Sequence, residues 1–151
     1  MSRLSSLCTV GLIVTFSATA QFVQQGNKLV GTGTVGPTSS DQGRSVSISS
    51  DGNTAIVGGS GDNNSAGAAW IWTRSGGVWT QQGSKLVGTG AVGIAEQGFS
   101  VSLSSDGNTA IVGGPSDNSL GGAAWVWTRS GGIWSQQGSK LVGTGAVGNA
   151  E

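Results

Sequence analysis

The side chains able to coordinate, stack or exchange protons are few, and they recur at one spacing. Asp62, Asn63 and Asn64 fall in one polar loop, and Asp117 and Asn118 fall in the corresponding loop 55 residues further on. Such loops can contact a ligand or hold calcium, but calcium takes about six to eight oxygens, several of them from carboxylates. One Asp per loop leaves calcium weakly supported, and the alternative is the Asx turn, in which the side chain hydrogen-bonds nearby backbone. No other cofactor or metal is expected. These five residues are the candidate ligand contacts.

The six tryptophans raise a second possibility, because aromatic faces stack on sugar rings. Trp70 with Trp72, and Trp125 with Trp127, stand at i, i+2, so each pair occupies one side of its strand. Packing between blades is the favoured use of these four, and of Trp79 and Trp134 as well, although the last two lie on a more exposed outer strand. Arg74 and Arg129, each just before Ser-Gly-Gly, read as solvated turn residues. Arg44 falls at an otherwise apolar position and requires a partner if buried, and Asp41 is near in sequence.

Catalysis is weakly indicated. The chain has no His and no Tyr, and its one Cys is Cys8, so acid or base work would fall to carboxylates or, less readily, to lysine. Asp51 and Asp106 are already explained as hairpin-turn residues, and the acids recur by repeat, unlike a single asymmetric site. No catalytic residue is assigned, and the chain is not expected to be an enzyme.

The elements that position these residues are written twice. Residues 71–93 and 126–148 differ by only three interchanges, all conservative, at an offset of 55. A module reads as four short strands. In the second copy, residues 99–104 alternate Phe99, Val101 and Leu103 with serines, at the period of two that a strand requires. Asp106-Gly107 turns the chain into a strand over 109–112, and a loop over 113–122 follows. A tryptophan strand covers 123–129, and Ser130-Gly131-Gly132 leads into 133–137, with a weaker continuation through 140–142. The last strand is the most polar, which places it at a sheet edge. The 29 glycines and 9% charged residues agree with turn-dense β-structure.

Four antiparallel strands with apolar or small residues on both faces suit a sheet stacked between similar sheets, as in a β-propeller blade. A β-solenoid is the alternative, though 55 residues is long for one coil. The fold expectation is therefore all-β: antiparallel four-stranded blades, two of them, behind a leading outer strand. The domain organisation is a signal peptide over 1–20, the leading strand and linker over 21–42, and blades over 43–97 and 98–151. A closed ring of seven such units needs roughly 385 residues, so an incomplete propeller is expected. The end at Glu151, where a new module would start, reads as a fragment of a longer frame. Assembly of several copies into one ring is the competing reading.

Arg3, the apolar run over 7–16 and Ala18-Thr19-Ala20 form a secretory signal pattern, and the apolar run is shorter than the ~20 residues of a bilayer span. Cleavage after Ala20 would remove Cys8 and Arg3 and leave six basic residues against seven acidic ones. A near-neutral exported chain without cysteine suggests no disulfide, no nucleic-acid partner and no membrane insertion.

Gly98-Phe99-Ser100-Val101, Asp106-Gly107-Asn108 and Ile111-Val112-Gly113-Gly114-Pro115 resemble the FG-GAP repeat, the blade unit of integrin alpha-chain propellers and of many secreted bacterial proteins. The resemblance covers nearly all of residues 22–151 and implies a propeller used in extracellular binding or adhesion. The first copy departs from it, with Arg44 at the position of Phe99 and Ser60 at that of Pro115. The Asp-rich calcium loop of many members is absent from 49–53 and 104–108. The expected function is recognition of an extracellular protein or glycan, through the variable loops at 60–67 and 115–122. A structural self-associating surface protein, and the non-catalytic propeller of a larger secreted enzyme, are the alternatives. Further blades, or other copies of the chain, are the expected neighbours.

Overall fold

Alternating serine and apolar residues build β1 (Ser45–Ile48), which turns at Asp51-Gly52 into β2 (Thr54–Gly59). Gly52 has φ 68°, a left-handed conformation that is strained for residues carrying a Cβ. The tryptophan strand β3 (Ala68–Ser75) and the short β4 (Val78–Gln81) complete the first sheet. The second repeats it with β5 (Ser100–Leu103), β6 (Thr109–Gly114), β7 (Ala123–Ser130) and β8 (Ile133–Gln136). This computed structural model describes residues 22–36 and 39–145, so the expected signal sequence lies outside the described residues. No described helix is long and apolar enough to cross a membrane.

Both sheets are antiparallel meanders, in the orders β1-β2-β3-β4 and β5-β6-β7-β8. Their registers repeat with the sequence: Val57 pairs with Trp70 and Ile56 with Ile71, and Val112 pairs with Trp125 and Ile111 with Val126. The polar strands β4 and β8 lie at edges, as their composition predicts. The strand over 109–112 runs on to Gly114, and the first strand is shorter than its alternation suggests. The continuation over 140–142 is reduced to one bridge, Leu141 to Ala124.

Pairing sorts each sheet into two faces. Val46, Ile48, Ala55, Val57, Trp70 and Trp72 share one, and Ser45, Ser47, Ile56, Ala69 and Ile71 share the other. The second face of the first sheet meets the first face of the second. Ile56, Ala69, Ile71, Leu86 and Ala95 form one core with Ala110, Val112, Trp125 and Trp127. Ile56 and Ile71 are fully buried there, each contributing about 1.5–3 kcal/mol. The serines of β1 link the sheets: Ser45 Oγ donates to the Gly98 carbonyl at 2.9 Å, and Leu103 N donates to Ser47 Oγ at 3.1 Å.

The expected leading outer strand is not formed, because residues 22–36 contain no strand. In the second module the equivalent Leu86 bridges Ala69 of β3, whereas Leu29 forms no such bridge among the described residues. The segment instead crosses the tryptophan face of the first sheet as a strap, with Leu29 packed on Ala68, Trp70 and Trp72. Trp70 Nε1 donates to the Thr32 carbonyl at 2.8 Å. The link after β4 repeats this on the second sheet, where Trp125 Nε1 donates to the Thr89 carbonyl at 2.8 Å.

Candidate functional site

The five candidate ligand contacts separate by burial. Asp62 and Asp117 are essentially inaccessible, and their carboxylates serve the fold. Asp62 Oδ1 accepts from Val35 N at 2.9 Å and its Oδ2 pairs with Lys85; Asp117 accepts from Val92 N at 2.8 Å and pairs with Lys140. An ammonium thus holds the oxygen that a calcium ion would need, so these residues do not fit calcium. Asn63, Asn64 and Asn118 are exposed. They form tight turns in place of an open loop, with Asn63 at φ 50°, Asn64 at φ 54° and Asn118 at φ 51°. Short polar side chains tolerate this left-handed backbone better than most.

Arg44 also departs from expectation. It is exposed, and its guanidinium lies over the Phe99 ring at 4.2 Å. Asp41 does not form an ion pair with it among the described residues; the two are joined by a backbone bond from Arg44 N to the Asp41 carbonyl. The phenyl face of the next module supplies the stabilisation that a carboxylate was expected to give.

Arg74 and Arg129 are not freely solvated turn residues. Arg74 Nε donates to Asn53 Oδ1 at 3.1 Å, and one terminal nitrogen donates to Gln25 Oε1 at 2.8 Å. Its guanidinium lies 5.4 Å from the Trp79 ring centroid. Arg129 makes the corresponding bonds to Asn108 and Gln82 and lies 5.5 Å from the Trp134 centroid. Trp134 Nε1 also donates to Gln82 Oε1 at 3.0 Å.

Each network borders a cleft between the edge hairpin and the segment crossing the tryptophan face. The first, about 450 Å³, is lined by Trp72, Trp79 and Gly77 on the sheet side and by Gln25, Asn27 and Lys28 on the strap. The second, about 260 Å³, repeats it with Trp127, Trp134 and Gly132 against Gln82, Ser84 and Lys85. Half-buried Trp79 and Trp134, backed by the buried Trp72 and Trp127, stand beside amide or hydroxyl groups and, at the first cleft, the Lys28 ammonium, whereas Lys85 at the second is paired with Asp62. An apolar platform with hydrogen-bonding groups is the usual make-up of a small-ligand site.

Trp79 and Trp134 are readable from sequence as more exposed than the other tryptophans, though with packing as their favoured use, and they line the clefts together with the buried Trp72 and Trp127. Trp70 and Trp125 are fully buried in packing. The glutamines were missed because neighbouring segments bring them in: Gln82 reaches Arg129 across 47 positions and Trp134 across 52. The repeated Gln-Gln before Gly was the only signal available. No protein-family model matches the chain, and no curated protein matches it.

Proposed function

We propose that the chain is an extracellular or cell-surface recognition module whose two sheets are neighbouring β-propeller blades of FG-GAP type. Its partner is a glycan or a glycan-bearing protein, and it has no catalysis of its own. The observation that carries this reading is the cleft built twice from the same parts: a half-buried indole beside a buried one, an arginine at the outer ring, and amide or hydroxyl groups opposite. A sugar presents an apolar C–H face to an indole and hydroxyls to amides, so one repeated site suits a repeating ligand. The blade assignment is supported by the four-stranded meander order and by the face-to-face core between the sheets. Export is supported by the signal pattern over residues 1–20.

A glycan array with the purified chain tests the site. Repeatable binding lost in Trp79→Ala with Trp134→Ala, and retained when Asn63, Asn64 and Asn118 become Ala, is the expected result. Loss confined to the asparagine variant would move recognition to the loops. A blank array would remove glycan from the reading.

A further inference from the structure

The contact between the two sheets shows which surfaces fit one another, and both halves of that contact recur uncovered at the ends of the stack. Ile56 is fully buried against the second sheet, whereas its counterpart Ile111 is 42% exposed. Leu86 is 6% exposed and its counterpart Leu141 is 54%. At the other end, Val46 and Ile48 are 68% and 55% exposed, although their counterparts Val101 and Leu103 pack against the intersheet core. The Ile111 face of the second sheet and the Val46 face of the first are therefore the two sides of an interface already formed once within the chain.

We propose that a second copy of this chain docks head to tail, the Ile111 face of one copy on the Val46 face of the next. The alternation of Arg44 and Phe99 selects this occupant. Within the chain Arg44 of the first module lies on Phe99 of the second. Across the junction Phe99 of one copy meets Arg44 of the next, and the cation–π pair is kept with its roles exchanged. The serine contacts repeat in the same way. Ser100 Oγ takes the place of Ser45 and donates to the Gly43 carbonyl of the next copy, and Ile48 N takes the place of Leu103 and donates to Ser102 Oγ.

One element stands in the way and defines the mechanism. The strap fills the tryptophan face of the first sheet with Leu29-Val30-Gly31-Thr32-Gly33, and the incoming copy carries Leu141-Val142-Gly143-Thr144-Gly145 for the same place. A Cβ on Gly31 would lie 2.2 Å from the Trp70 ring, and one on Gly88 would lie 2.1 Å from Trp125. Docking exchanges the strap for the neighbour's tail: Gly143 lies against Trp70, and Trp70 Nε1 donates to the Thr144 carbonyl in place of that of Thr32. The tethered strap acts as an internal competitor that holds association back at low concentration. The junction joins unlike surfaces, so copies add into rings or open rows.

Gly143 makes this testable, because a Cβ there meets nothing within 4 Å in the single chain. Sedimentation and light scattering of the purified chain over a wide concentration range should show mass rising with concentration. Gly143→Val should remain monomeric with unchanged circular dichroism and melting temperature. Ile111→Glu and the pair Val46→Glu with Ile48→Glu each block one side; either alone should stay monomeric, and their mixture should form dimers and nothing larger. A wild-type monomer at every concentration, or oligomers indifferent to Gly143→Val, would overturn the proposal. A mixture of the charged variants that stays monomeric would do the same. A blank glycan array would overturn ligand recognition and leave the junction standing, although strap exchange itself would remove Gln25, Asn27 and Lys28 from the first cleft.

Discussion

At the scale of single residues, the carboxylates divide between two structural tasks. Asp62 joins a strap backbone amide to Lys85 in a buried pair, and Asp117 does the same with Val92 and Lys140. Removing one partner of such a pair strands the other, so Asp62→Ala should lower stability by about 3 kcal/mol in urea unfolding, whereas Asn63→Ala, which only puts alanine into a left-handed backbone, should cost about 1 kcal/mol. Asp51 and Asp106 lie on hairpin turns, where the Ser49 and Ser104 hydroxyls, followed by Asn53 and Asn108, hold their carboxyls below the ordinary value of 3.8. A lowered folded-state pKa gives stability that is present above the unfolded value and lost as pH falls through the folded one. With no histidine in the chain, the melting temperature should stay nearly flat from about pH 5 to 8 and fall below about pH 4. Asp51→Asn with Asp106→Asn should flatten that acid limb. The sequence revealed the turn acids because their partners lie within two positions. It did not reveal the role of Asp62, whose partners are 27 and 23 positions away. The pairing of Arg44 with Phe99 was hidden likewise, since an aromatic face 55 positions on gives no local signal.

At the scale of elements, strand identity and phase follow from alternation and from the Asp-Gly and Gly-Gly turns, and all eight strands lie where those signals place them, within a few residues. The leading segment is different. Its sequence resembles the edge strand and link of a module, but among the described residues it forms no strand and lies on a tryptophan face. Its fit depends on a residue without a Cβ. Gly88→Ala, which would place a methyl group 2.1 Å from Trp125, should lower stability by about 1–3 kcal/mol in chemical unfolding. Gly143→Ala, with open space around it, should be close to neutral by the same measurement. The difference between two glycines in identical sequence contexts is set by the presence of a neighbouring sheet.

At the scale of the whole molecule, two stacked sheets give one shared core and two clefts, each closed by the segment that precedes its sheet. The second cleft is the smaller in volume, and there Gln82 accepts from both Trp134 and Arg129. The exposure of Trp79 and Trp134 was readable from their place on the edge strands β4 and β8, while the inner-strand Trp72 and Trp127 and the amides opposite required the stacking itself. Calorimetric titration with a saccharide selected on the array tests recognition through the clefts most directly. Two sites per chain, one in either Trp79→Ala or Trp134→Ala and none in the double variant, is the predicted result. Binding that survives unchanged in the double variant would contradict it.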